Sequence, residues 1–214
     1  MNDKPTYNPQ IHHRRSIRLK GYDYSQTGLY FVTICCQDRE CRFGAIENGA
    51  MILNEYGTIA YNQWIKLTER FSNFELDVFQ IMPNHMHGII ALNDVGAGFT
   101  PAPYNDEIYG QSPNGQPQGL PLQITDNDNR ATARSAPAIG DIVGAYKSLV
   151  ANECLKIWKT KWVGANPAST MGKLWQRNYH EHIIRNEESY HIISEYIINN
   201  PLQWKEDTFY IYDI

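Results

Sequence analysis

Long hydrophobic runs are absent from this chain. No apolar stretch approaches the roughly 20 residues that a membrane-spanning helix requires. The first residues, MNDKPT, carry charge but are not followed by an apolar segment, so we expect no signal peptide. The sequence therefore predicts a protein without a membrane partner.

Cysteine is scarce, and its spacing does not match a zinc-binding motif. The four cysteines, Cys35, Cys36, Cys41 and Cys154, include no C-x-x-C pair. Cys35 and Cys36 lie in an apolar run, which is typical of small buried hydrophobic residues. We therefore expect a reduced protein with a cytoplasmic location.

An excess of positive charge is also lacking. The formal net charge is −4, which argues against a partner held by bulk electrostatics, such as duplex nucleic acid. Basic groups neutralise phosphates and aromatic rings stack on bases, a combination that suits single-stranded nucleic acid. The second half of the chain interleaves both residue types: Lys147, Lys156, Lys159, Lys161, Lys173, Arg177 and Arg185 with Tyr146, Trp158, Trp162, Trp175 and Tyr179. A solvated basic face whose aromatic side chains point into the core would give the same interleaving.

The composition changes between residues 93 and 137. Gly, Pro, Asn, Asp, Ser and Gln dominate there, large aliphatic residues are few, and no hydrophobic period is sustained. Such a segment cannot bury enough apolar surface to offset the entropy lost on ordering. We therefore predict a single domain over residues 1–214 with a flexible insertion at about 93–137.

The rest of the sequence predicts both strands and helices. The spacing of apolar residues predicts helices whose first residues are capped by Asn54, Asp141 and Asn186, with Pro201 ending the last one. Because most strands follow one another as hairpins, with two main crossover helices, we predict an α+β fold with helices mainly on one face of an antiparallel sheet. The predicted strands and hairpin cover residues 30–36, 41–53 (turning at Asn48-Gly49), 75–82, 85–92 and 179–184.

The most informative motif is a pair of histidines within MPNHMHGII, residues 82–90. His85 and His87 follow a Pro-Asn turn and begin an apolar strand. Successive side chains on a strand point to opposite faces, so the two imidazoles project from the same face. Two adjacent imidazoles on a rigid strand form half of a divalent-metal site. Since two ligands alone hold a metal poorly, the rest of the chain must supply more.

The last predicted helix carries a tyrosine and an asparagine one turn apart. Tyr196 and Asn200 are four residues apart and therefore share a helix face. A tyrosine oxygen can attack phosphorus and form a covalent intermediate that preserves the energy of a phosphodiester bond. Its phenol, with a pKa of about 10, needs help at neutral pH, and a nearby divalent cation supplies it. The carboxamide oxygen of Asn200 is a candidate third metal ligand.

Four motifs together indicate a family. They occur in the order HMH after the Pro-Asn turn, WQR at 175–177, EHIIRN at 181–186 and YIINNP at 196–201. As a set they resemble the HUH single-tyrosine transposases, specifically the REP-associated tyrosine transposases of bacteria. The resemblance covers most of the chain apart from the 93–137 segment. It implies a ferredoxin-like fold and a metal-dependent endonuclease that acts on single-stranded, hairpin-forming DNA.

The resemblance also assigns roles to individual residues. It implies that His85 and His87 bind Mg²⁺ or Mn²⁺ and that Tyr196 is the nucleophile. Tyr196 would form a 5′-phosphotyrosine and leave a free 3′-hydroxyl, and attack of a 3′-hydroxyl on that linkage would rejoin the DNA. Asn200 stands where mobile-element relatives are expected to have a glutamine ligand, and its neutral oxygen is a hard donor suited to these ions. Those relatives are expected to be dimers, so a homodimer is one expected assembly.

Further residues are candidates for DNA contact. Arg177 and Arg185 have planar, bidentate donors that suit phosphates, and we also predict contacts from Lys147 and His182. A surface ion pair is the alternative role for each arginine.

Other histidines and tyrosines compete for the same roles. The run His180-Glu181-His182 is a second His-x-His motif, but Glu181 would point away from both histidines on a strand, so we favour a structural or DNA-contacting role. His12 and His13 lie in an N-terminal arm, where a solvated role is expected. Tyr179 and Tyr190 compete with Tyr196 as the nucleophile, and only the motif match selects Tyr196.

Two other functions stay open at this point. The chain could be a domesticated DNA- or RNA-binding module that keeps the fold without the chemistry. It could also be a metal-dependent phosphoesterase that uses His85, His87 and a third ligand from His180 or His182.

Overall fold

The computed structural model describes residues 21–93, 137–162 and 170–211. The predicted insertion at about 93–137 therefore lies almost entirely outside the described residues, and so do His12 and His13.

Six strands and four α-helices make up the described part of the chain. Strand β1 is Gly28–Cys35, β2 is Gly44–Glu47, β3 is Ala50–Leu53, β4 is Phe74–Ile81, β5 is His85–Leu92 and β6 is His180–Ile184. Helix α1 is Glu55–Ile65, α2 is Leu67–Arg70, α3 is Ile139–Trp162 and α4 is Glu187–Asn199. None of the described helices is long and apolar enough to cross a membrane.

Four of the strands form one sheet in the order β4-β5-β1-β6, and every neighbouring pair is antiparallel. The first and last of these strands in the chain, β1 and β6, are neighbours, and the elements alternate as β1-α1-β4-β5-α3-β6. This is the ferredoxin-like arrangement, so the predicted α+β class is confirmed. Strands β2 and β3 form a separate hairpin.

The larger apolar core lies on the face of the sheet that α1 and α3 cover. Tyr30, Val32 and Ile34 of β1 point into it and pack with Trp64 of α1 and Tyr146 of α3. All five side chains are fully buried. This core packs the sheet against the two crossover helices and leaves the other face of the sheet for different contacts.

Helix α4 packs on the opposite face of the sheet. Its Ile197 forms a second, smaller cluster with Val78, Ile89 and Ile184. Ile89 alternates with the residues that face α1 and α3, and it shares its face with His85 and His87. The helix predicted at the end of the chain is therefore placed directly over the histidine pair.

Local sequence signals account for several element boundaries. Asn54 and Asn186 accept hydrogen bonds from the backbone N–H groups of Gly57 and Ser189, as N-cap residues do. Asn48 and Gly49 both have positive φ, 52° and 77°, as a two-residue hairpin turn requires.

Two predicted helix boundaries need correction. The helix predicted to run from Asn54 to about Arg70 is interrupted at Lys66, which separates α1 from α2. Asp141 is not an N-cap, because α3 already begins at Ile139. Its carboxylate instead reaches back and accepts a hydrogen bond from the Ala138 N–H over 3.0 Å.

Gly88, directly after the histidine pair, is required by packing. Its position on β5 faces α1, and a Cβ there would lie 2.8 Å from the Trp64 ring. The indole is fully buried and has no room to withdraw. The glycine therefore allows α1 to approach the strand that carries the histidines.

Candidate active site

His85 and His87 lie side by side at the start of β5, on the face that α4 covers. They are 0% and 1% exposed, and their Nε2 atoms are 2.9 Å apart. The predicted pairing of the two imidazoles on one face is therefore present in the structure. Two imidazole nitrogens at this distance need a proton or a cation between them, because two lone pairs would repel.

Each imidazole is oriented by a neighbour at its Nδ1 atom. His85 Nδ1 lies 2.8 Å from Asn84 Oδ1, and His87 Nδ1 lies 2.8 Å from the hydroxyl of Thr33 on β1. Partners of this kind fix the ring orientation and the tautomer of metal-binding histidines. The arrangement directs both Nε2 atoms toward one point.

Burial keeps both imidazoles neutral. It lowers the pKa of His85 well below its ordinary value, with smaller contributions from His87 and Arg39. It lowers the pKa of His87 to about 3. A neutral imidazole is the form that binds a metal ion, so neither histidine has to lose a proton at neutral pH.

Tyr196 of α4 reaches the same site. Its hydroxyl lies 3.2 Å from His87 Nε2 and 3.5 Å from Asp207 Oδ2, and its ring stands edge-on to Phe31. The residue is 38% exposed, so it borders solvent while it contacts the buried pair. Burial, together with the negative charge of Asp207, raises the pKa of Tyr196 to about 12. The phenol is therefore protonated at neutral pH.

Asn200 follows the last turn of α4 and is 1% exposed. Its Nδ2 donates a hydrogen bond to Asp207 Oδ2 over 2.6 Å. Its Oδ1 is buried and has no hydrogen-bond partner. Asn200 is thus placed beside the site, with its amide nitrogen toward a carboxylate.

Asp207 is the residue that sequence analysis missed. Its carboxylate forms a group with His85 and His87 in which one potential ligand atom from each lies within 4.8 Å of the others. It follows Pro201, where the helical pattern ends, and nothing in the local sequence relates it to a strand 120 residues earlier. Asp207 follows one short 3₁₀ turn, Trp204–Glu206, which is too short to give a periodic signal that could have revealed it.

The segment that carries Asp207 covers the histidines. The ring centroids of Phe209 and Trp204 lie 4.5 and 5.9 Å from that of His85. Arg39 donates a hydrogen bond to the Thr208 carbonyl over 3.0 Å and lies over the Phe209 ring. These contacts fix the C-terminal segment, residues 204–209, against the site.

Comparison with known proteins gives one relative by sequence. An uncharacterised protein of Haemophilus influenzae is 41% identical over 207 residues, which cover 96% of this chain and 97% of that protein. The chain belongs to the family of that protein. No protein-family model matches this chain.

Comparison with solved structures gives a distant similarity. The structure of a REP-associated tyrosine transposase bound to a REP hairpin is 18% identical, with a TM-score of 0.49, and the match covers 88% of this chain and 74% of that one.

The predicted DNA contacts lie in different surroundings. Arg177, His182 and Arg185 are exposed, and His182 faces the same side of the sheet as the histidine pair because it is opposite Phe31 in register. Lys147 is different: its ammonium donates to the carbonyls of Gln176 and Arg177 over 2.6 and 3.1 Å. Lys147 therefore supports the loop that carries Arg177.

The histidines and tyrosines that compete for these roles lie apart from His85 and His87. His180 and His182 lie on the edge strand β6, and β1 separates them from β5. Among the described residues, the group that could hold a metal ion is His85, His87 and Asp207, and it includes neither of them. Tyr190 points elsewhere, and its hydroxyl donates to Asp77 Oδ1 over 3.1 Å. Tyr179 packs against the larger core. Of the three tyrosines considered, Tyr196 is the one whose hydroxyl is hydrogen-bonded to the histidine pair.

Proposed function

We propose that the protein is a metal-dependent, transposase-like endonuclease and strand transferase. Its substrate is single-stranded, hairpin-forming DNA, and its intermediate is a 5′-phosphotyrosine on Tyr196. The observation that carries this proposal is the contact between Tyr196 and His87, which brings a nucleophile to within 3.2 Å of a pair of metal-competent imidazoles.

The residues present fit a divalent cation. Two nitrogens bound at about 2.1 Å and at right angles to each other lie about 3 Å apart. The Nε2 atoms of His85 and His87 are 2.9 Å apart, so these two side chains would hold one ion such as Mg²⁺ or Mn²⁺. Oxygen donors are available from Asn200 and Asp207. A cation bound there would polarise the scissile phosphate and offset the negative charge that develops during attack.

The chain's own groups account for the attacking step. The Tyr196 hydroxyl is held against His87 and Asp207, which fixes its position relative to the ligand pair. As the Tyr196 oxygen bonds to phosphorus, its phenol proton passes to solvent and the bond from phosphorus to the 3′-oxygen of the preceding nucleotide breaks. That oxygen takes up a proton from solvent and becomes a free hydroxyl. When a 3′-hydroxyl attacks the phosphotyrosine, the tyrosine is released and the DNA is joined.

The edge of the sheet next to the site is the proposed path of the DNA. Arg177 and Arg185 provide exposed guanidinium groups for phosphates, and His182 lies between them on the site face. Lys147 contributes by holding the loop that carries Arg177. This role differs from the direct contact that the sequence alone suggested.

A covalent adduct tests the proposal. The protein is incubated with a pool of labelled single-stranded hairpin DNAs in Mn²⁺, and the products are separated by denaturing electrophoresis. We expect a protein–DNA adduct in the wild type that is lost in Tyr196→Phe and in His85→Ala. Tyr190→Phe is the matched control, because it removes a hydroxyl from the same helix that is bonded to Asp77 and not to the histidines.

The other outcomes distinguish the remaining functions. Hairpin binding without an adduct in any divalent ion would exclude the nuclease and support a non-catalytic DNA-binding module. Turnover of a small phosphoester that persists in Tyr196→Phe would support a phosphoesterase, which needs no tyrosine nucleophile.

A further inference from the structure

The geometry points to Asp207 as the third protein ligand of the metal held by His85 and His87, with Asn200 positioning its carboxylate. This inference rests on the metal site of the proposed function. It replaces the ligand role suggested for Asn200 and gives the C-terminal segment a direct part in the site.

Asn84 fixes the tautomer of His85. Asn84 Nδ2 donates hydrogen bonds to the carbonyls of Arg39 and Phe209 over 3.0 and 2.8 Å, and these two acceptors fix which end of the amide is nitrogen. Asn84 Oδ1 must then accept a hydrogen bond from His85 Nδ1–H. His85 Nε2 therefore carries a lone pair directed at the space between the two histidines.

The charge of a divalent cation between the two histidines favours an anionic third ligand. Two neutral imidazoles leave both positive charges of a divalent cation uncompensated in a buried site, which is costly. Asp207 is the one carboxylate in the described part of the chain that groups with both histidines. A carboxylate supplies the hard, anionic oxygen that Mg²⁺ and Mn²⁺ prefer.

Asn200 contacts the Asp207 carboxylate through its amide nitrogen. Its Nδ2 is 2.6 Å from Asp207 Oδ2, so its donor faces the carboxylate and orients it. The other carboxylate oxygen accepts a hydrogen bond from the Phe209 N–H over 2.6 Å. A metal-binding carboxylate is commonly held by such hydrogen bonds, and Asn200 therefore matches a positioning residue.

Asn84 links the C-terminal segment, residues 204–209, to the histidine pair. Asn84 contacts His85 through its oxygen and the Phe209 carbonyl through its nitrogen. The Asn84 side chain thus fixes both His85 and the turn that carries Asp207. The docking of residues 204–209 and the alignment of the histidines are coupled through Asn84.

Direct binding of Mn²⁺, measured by the electron paramagnetic resonance signal of the free ion, tests the inference. We expect His85→Ala to abolish binding and Asp207→Asn to weaken it by about 100-fold, at or beyond the upper end of what loss of a supporting residue costs. Glu206→Gln is the matched control, because it neutralises an exposed carboxylate one residue earlier and should bind as the wild type does. Asn200→Ala should weaken binding by about 10-fold, the cost of losing a positioning residue.

A change of metal preference separates ligation from a merely structural role. Asp207→Cys replaces a hard oxygen with a soft thiolate, so we expect tighter Cd²⁺ binding, weaker Mn²⁺ binding and a thiolate-to-metal absorption band. Thermal melting of each variant reports whether it is folded. If Asp207→Asn does not fold, the metal preference of Asp207→Cys decides the question.

The possible failures can be told apart. Unchanged Mn²⁺ affinity in folded Asp207→Asn, or an Asp207→Cys variant with wild-type metal preference, would overturn the ligand role and leave the histidine site intact. Normal, Asp207-dependent Mn²⁺ binding without any DNA adduct would instead overturn the proposed nuclease and leave the ligand assignment standing.

Discussion

Asn84 accepts a hydrogen bond from His85 over 2.8 Å while its amide nitrogen holds the Phe209 carbonyl over 2.8 Å. The residue is 1% exposed, so water does not replace either partner. The Pro-Asn pair that sequence analysis identified as a turn signal is therefore also part of the histidine site. Asparagine is required at this position because its amide oxygen accepts from His85 and its amide nitrogen donates to the Phe209 carbonyl.

Substitution of Asn84 should separate these two contacts. Asn84→Asp keeps an acceptor for His85 Nδ1–H but cannot donate to the Phe209 carbonyl, so we expect the C-terminal segment to be released. Asn84→Ala loses both contacts and should lower Mn²⁺ affinity by roughly 10- to 100-fold. Limited proteolysis of the segment and Mn²⁺ titration measure the two effects. Asn199→Ala is the control, because it truncates an exposed asparagine outside the site. If both Asn84 variants had the same proteolysis rate and Mn²⁺ affinity as Asn199→Ala, the coupling would be wrong.

Thr33 should act on the site through His87. Its hydroxyl is 2.8 Å from His87 Nδ1 and the side chain is 4% exposed. Thr33→Val keeps the shape and removes the hydroxyl, so we expect Mn²⁺ affinity to fall by about 10-fold, with a loss of about 1 kcal/mol in the free energy of unfolding. Thr33→Ser retains the hydroxyl and should restore metal affinity. Equal affinity in the valine and serine variants would show that the hydrogen bond does not orient the imidazole.

Gly88→Ala should destabilise the fold without altering the chemistry of the histidines. The added Cβ would lie 2.8 Å from the Trp64 ring, and overpacking of this kind costs about 1–3 kcal/mol. Urea unfolding measures the change. Gly144→Ala is the matched control: a Cβ there meets nothing within 4 Å, so the helix propensity of alanine should stabilise α3 by about 1 kcal/mol. Similar effects in both variants would contradict the packing argument.

The fold was predictable where local signals decide the structure. Asn48-Gly49 has one favoured hairpin geometry, and Asn54 and Asn186 satisfy N–H groups only three residues away. The histidine pair follows from strand alternation alone. Asp141 was wrongly predicted as an N-cap, because an acidic residue in the first turn of a helix resembles an N-cap in sequence.

The completed site was not predictable, because its parts meet through tertiary packing. The position of α4 over β5 depends on the cluster of Ile197 with Ile89, which no local pattern encodes. Asp207 lies on a short segment after α4 that is held by Arg39 and Asn84, both distant in sequence. Resemblance to a family supplied Tyr196, and only the structure supplied its carboxylate neighbour.

A buried carboxylate, that of Asp77, lies under α4. Asp77 of β4 is 2% exposed and accepts hydrogen bonds at Oδ1 from the Val78 N–H over 2.6 Å and from Tyr190 over 3.1 Å. Its Oδ2 is buried without a hydrogen-bond partner. Burial raises the pKa of Asp77 to about 6, the two hydrogen bonds oppose the shift, and the nearby Glu75 adds to it.

The raised pKa of Asp77 should make its ionisation destabilising above pH 6. The folded state holds the proton more tightly than the unfolded chain, so this contribution is absent below the unfolded pKa of about 4 and grows to about 3 kcal/mol as pH rises past 6. Asp77→Asn removes it, and its stability gain over the wild type should be greatest at pH 7.5 and about half as large at pH 5. Urea unfolding of both proteins at the two pH values measures this difference, in which the opposite titration of the buried histidines cancels. A gain that is constant with pH would mean that Asp77 is already ionised at low pH in the folded protein.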